Sequence, residues 1–96
     1  MNGKYILDGH KIVFCDDALE WGKWFEKAEL HVADDTKDDI RVSTVFLGLD
    51  YSFGYGPPLL FETMVFGGEH DRDMDRYSTW EEAEQGHKRM CDIVFV

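Results

Sequence analysis

The run Arg41 to Leu49 is the strongest constraint in this chain, being rich in Val, Thr and Phe and lacking the polar alternation of a half-exposed strand. Such a strand has both faces at least partly covered, which places it centrally in a sheet with another layer against it. A second apolar run, Leu59 to Phe66, is interrupted by Glu62 and closed by Gly67-Gly68, and it follows the glycine- and proline-broken stretch Tyr51 to Pro58. The two runs are expected to pair antiparallel.

Two amphipathic stripes supply the covering layer. Asp16 or Asp17 offers a carboxylate to free amides, with Glu20 three residues after Asp17, and Ala18, Trp21, Phe25, Ala28 and Val32 then fall on one helical stripe beside Trp24. The acidic run Asp34 to Asp39 is expected to end this helix, because like charges at a C-terminus oppose the helix dipole. Ser78-Thr79-Trp80-Glu81 reads as a capping box for a second helix carrying Trp80, Ala83, His87, Met90 or Cys91, and Val94. Ahead of both, Tyr5-Ile6-Leu7 and Lys11 to Phe14 flank the turn-forming Asp8-Gly9-His10, a hairpin pattern. The expected fold is a single α+β domain over 1–96, a four-stranded mainly antiparallel sheet with two helices on one face in the order ββαββα.

Composition limits what such a domain can do. A chain of 96 residues buries roughly 60 to 65% of its unfolded surface, enough for one core. With 44% hydrophobic and 15% aromatic residues it is too apolar to be disordered. Twenty acids against ten Lys+Arg give a net charge of −10, which opposes direct contact with a nucleic-acid backbone or an anionic membrane. The longest apolar stretch, Val45 to Leu49, is only strand length, and Asp8 and Lys11 interrupt the N-terminal segment before a signal peptide could form. Cys15 and Cys91 are the only cysteines; with no second CxxC and no histidine partner at zinc spacing, two reduced, packed thiols are expected.

Several groups of residues invite a functional reading. The loop Tyr51, Phe53 and Tyr55, stiffened by Pro57-Pro58, offers aromatic contact area to a protein partner, or else folds back over the core. Asp71, Asp73 and Asp75 occupy positions one, three and five of a calcium-loop spacing with Glu82 at twelve, but Arg76 stands where that loop needs glycine, so a solvated acidic loop is expected and no metal or cofactor. No triad is evident among His10, His31, His70, His87 and the cysteines; His87, on an apolar stripe, reads as a packed histidine. Glu62 reads as a solvent-facing strand residue or, if buried, as an acid–base candidate. The acids concentrate in 34–50, including Asp34, Asp35, Asp38 and Asp39, and in 69–96, including Asp71, Asp73 and Asp75. A dense anionic surface can occupy a cationic groove built for DNA or RNA, although −10 is only slightly above the roughly 2 to 8 charges that solubility alone favours.

The strings Arg41-Val42-Ser43-Thr44-Val45-Phe46-Leu47-Gly48-Leu49-Asp50, Gly56 to Gly68 and Tyr77-Ser78-Thr79-Trp80-Glu81-Glu82-Ala83, together with Trp21 to Glu26, resemble a family of small phage and prophage proteins over most of the chain. The resemblance implies a phage-encoded protein acting in the host cell cytoplasm, and it carries no catalytic or binding residues over. Resemblance and charge together point to a non-enzymatic protein that binds a host or phage protein with a basic surface, such as a host defence nuclease or another nucleic-acid-binding complex that it inhibits. Two alternatives stand beside it: a ligand-binding protein or small enzyme with a pocket lined by Trp21, Trp24, Glu62, His87 or Trp80, and a virion or assembly accessory protein. An edge strand such as Tyr5 to Leu7 offers a surface for homodimer pairing.

Overall fold

A computed structural model describes residues 3–54 and 56–96. The chain opens with the hairpin β1 (Tyr5–Asp8) and β2 (Lys11–Phe14), paired from Tyr5↔Phe14 to Asp8↔Lys11 around the two-residue loop Gly9-His10. Asp17 is the N-cap of α1 (Ala18–Lys27), its Oδ1 accepting from the amides of Leu19 at 2.9 Å and Glu20 at 3.1 Å. Trp21 ties α1 to what precedes and follows it, its Nε1 donating to the carbonyls of Tyr5 (2.9 Å) and Gly48 (3.2 Å).

The expectation that α1 continues through Val32 is corrected. The helix stops at Lys27, and His31–Lys37 is a strand, β3, paired antiparallel with β4 (Ile40–Phe46) from His31↔Val45 to Lys37↔Ile40. The amide of Phe46 donates to the carbonyl of Leu30 at 2.7 Å, so the backbone leaving the helix is drawn onto the central strand. That ladder satisfies backbone groups which a helix ending in consecutive carboxylates would hold against its own dipole. Asp38 and Asp39 form the turn, with φ of 51° and 69°, both in the left-handed region that a type I′ hairpin requires.

β4 pairs with β5 (Phe61–Phe66), and β5 with the short edge strand β6 (Met74–Tyr77), giving the antiparallel order β3-β4-β5-β6. The architecture is α+β as expected, and β4 is internal. The composition of the sheet is corrected: the hairpin is a separate two-stranded sheet, joined through a Lys4↔Leu49 bridge, and β3 and β6 complete the four, so the order is ββαββββα. The edge strands are mostly polar: beyond Val32 and Tyr77, which pack on the core, they hold their places through backbone bonds to β4 and β5.

α2 (Trp80–Val94) lies across all four strands, whereas α1 packs on β1 and reaches the sheet face through Trp24, whose ring meets Phe46 edge-on at 5.9 Å. The cap of α2 is Thr79, one residue later than expected: its hydroxyl accepts from the Glu82 amide at 3.1 Å, and the Glu82 carboxylate accepts from Thr79 N at 3.2 Å. Val42, Thr44 and Phe46 of β4 and Phe61, Thr63 and Val65 of β5 face α2 and are fully or almost fully buried. The Tyr77 ring fills the space where a Cβ on Gly86 would stand, which explains a glycine in mid-helix. His10 in the hairpin loop stacks on Trp80 with centroids 3.8 Å apart, closing the core at the start of α2. Among the described residues no second layer covers the opposite sheet face; it is shielded by the pairs Arg41–Asp34 (2.6 Å) and Arg76–Glu62 (3.1 Å) and leaves Phe66 and Met74 nearly half exposed. Among the described residues no helix is long and apolar enough to cross a membrane.

Candidate functional site

Beneath α2 the two central strands carry polar side chains where an apolar pair would be expected. Thr44 and Thr63 sit directly opposite each other in the ladder, both with no exposed surface, their hydroxyl oxygens 2.5 Å apart. The Tyr77 hydroxyl donates to Thr63 at 3.1 Å, Thr44 Oγ1 lies 2.7 Å from His87 Nδ1, and His87 Nε2 lies 2.7 Å from Asp35 Oδ2. An ionised carboxylate only accepts, so the ring donates from Nε2 to Asp35, and in a neutral imidazole Nδ1 must accept from Thr44. Thr44 then accepts from Thr63 and Thr63 from Tyr77, so every bond of the chain runs one way and each donor is used. Burial above all raises the Tyr77 phenol, keeping its proton available for the bond to Thr63.

Carboxylate, imidazole and hydroxyl in this order repeat the arrangement that activates a nucleophile. Here the hydroxyl has no exposed surface and lies under the helix, so no substrate reaches it. The arrangement fastens α2 to β3, β4, β5 and β6 instead. The expectation of a packed, satisfied His87 holds.

At the outer end of the chain of bonds the structure opens. Asp35 belongs to the edge strand and its side chain is 60% exposed; Cys91 stands one helical turn after His87, its Sγ 3.9 Å from Asp35 Oδ2. These three side chains border a cleft of about 420 Å³ whose rim includes Lys37, Lys88 and Asp92. Burial first, then the nearby Asp35 and Asp92 carboxylates, push the Cys91 thiol above its ordinary value, which disfavours a thiolate nucleophile. No cysteine has a histidine at the spacing of a CxxC-type zinc motif, but the fold brings the donor atoms of His87, Cys91 and Asp35 within 4.8 Å of one another. The spacing His87-x-x-x-Cys91 was readable in the sequence as one helical face, but Asp35, 52 residues from His87, could be placed only by the β3–β4 ladder. Neither Cys15 nor Cys91 is in a disulfide.

The other candidate residues separate into three places. The β3–β4 turn with Asp38 and Asp39 and the β5–β6 loop with Glu69, Asp71 and Asp73 lie at the same end of the sheet, since Arg41 pairs with Phe66 and a Cβ on Gly67 would meet the Asp39 carbonyl at 2.7 Å. The C-terminus of α2 reaches the same end, where Ile93, Val94 and Val96 stand beside Ile40, Glu69 and His70. Asp34 is elsewhere, on the open sheet face, gripped by Arg41 through Nε at 2.9 Å and a terminal nitrogen at 2.6 Å, and these hydrogen bonds hold its carboxyl below the ordinary value. The aromatic loop is at the opposite end. Tyr51 folds back under the Arg76 guanidinium, 4.7 Å from its centroid, while Phe53 is 81% exposed; Tyr55 lies outside the described residues.

The calcium spacing does not assemble. Glu82 is committed to the cap of α2, Asp71 accepts from the Gly67 amide at 2.7 Å, Asp73 pairs with His70 at 2.9 Å, and Asp75 lies within β6. Of the residues named for a pocket between helices and sheet, His87 borders the cleft beside Asp35 and Cys91, Glu62 projects from the far face, paired with Arg76, and the rings of Trp24 and Trp80 pack on Phe46 and Phe61. Among the described residues one group of His, Cys, Asp and Glu donors converges tightly enough to hold a metal ion, that of Asp35, His87 and Cys91. Set against family models, curated proteins and solved structures, the chain matches none.

Proposed function

We propose that this chain acts without catalysis, by binding a protein with a basic surface through the acidic end of its sheet. The observation that carries the reading is the meeting of Asp38 and Asp39 with Glu69, Asp71 and Asp73, from segments about thirty residues apart in sequence, around one end of the sheet, with Lys37 and Arg72 the cations beside them. The two arginines of the open sheet face are occupied, Arg41 by Asp34 and Arg76 by Glu62, so they do not offset that field from there. A surface of this kind enters a cationic groove made for a phosphate backbone and draws its partner by long-range attraction. The resemblance to small phage proteins adds that the partner is a host or phage protein, with a host defence nuclease or other nucleic-acid-binding complex as the class to be inhibited.

The test compares the native chain with a variant in which Asp38, Asp39, Asp71 and Asp73 are changed to Asn, which keeps acceptors for the Gly67 amide and His70 while removing four charges. Capture from bacterial lysate at low salt should recover a basic protein with the native chain, less of it at high salt, and little with the variant. Equal recovery by both chains would refute this assignment of the surface.

A further inference from the structure

We propose that Asp35, His87 and Cys91 form a binding site for a zinc-class divalent cation, with a fourth coordination position open to the cleft they border. The donor atoms Oδ2, Nε2 and Sγ lie within 4.8 Å of one another. Histidine and cysteine four residues apart on α2 share one helical face, and Asp35, whose register partner is Val42, projects from the sheet face beneath that helix.

Two of the three donor separations are near those that coordination requires. With Zn–N and Zn–O of about 2.0–2.1 Å and Zn–S of about 2.3 Å, a tetrahedral ion sets nitrogen and oxygen about 3.3 Å apart and sulfur and oxygen about 3.6 Å apart. The starting separations are 2.7 Å and 3.9 Å. For these two pairs the Asp35 carboxylate needs to withdraw about 0.6 Å from the ring and approach the sulfur by about 0.3 Å; the third pair, Nε2 and Sγ, lies within 4.8 Å and closes to about 3.6 Å around a tetrahedral ion. It is exposed and on an edge strand, free to make that movement.

The support behind the ring is already in place. When Nε2 gives its lone pair to a metal, the proton sits on Nδ1, which donates to Thr44 Oγ1, 2.7 Å away, and the Thr44 hydroxyl turns from the ring to donate to Thr63. A hydrogen bond of this kind to the remote nitrogen fixes the tautomer and plane of a ligating histidine. Thiolate, imidazole and carboxylate together select a borderline-soft ion over magnesium or calcium, which take oxygen ligands. Binding releases the Cys91 proton to solvent. Lys37 and Lys88 at the rim make water or a small anion the occupant of the fourth position.

The experiment uses the full chain, reduced and freed of metal by chelation, titrated with zinc under native mass spectrometry and with cobalt by optical absorption. One zinc per chain is expected, with a tetrahedral cobalt spectrum carrying a thiolate charge-transfer band. Cys91→Ser and Asp35→Asn, both at positions outside the buried core, should each weaken zinc binding by more than the roughly 10- to 100-fold that loss of an outer partner costs. Cys91→Ser should abolish the charge-transfer band, and Cys15→Ser should change nothing. Circular dichroism establishes that each variant is folded. Absence of stoichiometric zinc on the native chain, binding unchanged in both ligand variants, or loss of the thiolate band in Cys15→Ser would each overturn the proposal.

Discussion

Replacing Thr44 with valine tests the reading of the buried chain of hydrogen bonds. Valine has nearly the same shape, so no cavity opens, and the change deletes the contacts to Thr63 at 2.5 Å and to His87 Nδ1 at 2.7 Å at a position with no exposed surface. Each bond contributes about 1 kcal/mol net, and leaving His87 Nδ1 buried without a donor adds a desolvation penalty of order 1 kcal/mol. The added methyl group returns about 0.8 kcal/mol. The expected loss is therefore about 1–3 kcal/mol, or roughly 5–20 °C in Tm for a domain of this size. Urea unfolding followed by fluorescence of the three tryptophans should show a lower midpoint with an unchanged slope. Thr63→Val should cost a similar amount, and the double variant less than the sum by about 1 kcal/mol, because the Thr44–Thr63 bond is lost once. The sharpest comparison is Thr44→Val with Thr63→Val, Tyr77→Phe and His87→Leu together. With no polar atom of the chain left unpaired, that variant should recover most of the loss. Additive single costs, or a combined variant less stable than any single one, would refute the account of these side chains as one unit.

Three further outcomes follow from local geometry. Gly86→Ala, which on an exposed helix would stabilise by about 1 kcal/mol, should destabilise by roughly 1–2 kcal/mol because the new methyl meets the Tyr77 ring; thermal melting reads the sign. Asp39→Gly should stabilise by about 0.5–1 kcal/mol, since the residue has φ of 69° and glycine adopts that conformation freely; a lower urea midpoint would contradict this. Asp34 titrates below an ordinary carboxylate because Arg41 hydrogen-bonds it, so its contribution to stability is present above about pH 4 and is lost as pH falls through the depressed folded value. In Arg41→Gln the Asp34 midpoint, followed by NMR, should move up toward the ordinary range.

Some of this fold was readable because local chemistry and tertiary structure agree. Asp8-Gly9 between apolar triplets, Asp17 before the Trp21–Phe25 stripe, and the runs that became β4 and β5 each form the element their pattern favours. β3 and β6 were not readable. Asp34 to Lys37 and Met74 to Arg76 are mostly polar and exposed edge residues with no alternation of their own, so their strand state comes from ladders that β4 and β5 supply. The candidate site divides the same way. His87 and Cys91 share a visible helical face, but their partner Asp35 lay in a segment whose charge argued for a helix end, and Thr44 and Thr63 gave no sign in sequence that they face each other.

The β3–β4 turn bears on function because its sequence works against its own stability. A two-residue turn with both φ positive is best furnished by Asn-Gly, yet this one holds two adjacent carboxylates at 51° and 69°. Neither carboxylate makes a hydrogen bond or ion pair among the described residues, so nothing within the fold offsets the backbone strain or the repulsion between them. The turn also lies against the β5–β6 loop, where Gly67 permits an approach that adds Asp71 and Asp73 to the same field. Stability alone would favour spreading these charges. Places where a sequence breaks a local rule without internal compensation are where an external requirement is to be sought; the basic partner proposed above would supply it, because its cations would relieve the repulsion that the isolated chain carries. Asp39→Gly therefore separates two effects that usually run together: it should raise the melting temperature of the free chain while weakening capture of the basic partner. A variant that gained stability and kept full binding would leave the turn's charge unexplained and would move the binding surface away from this end of the sheet.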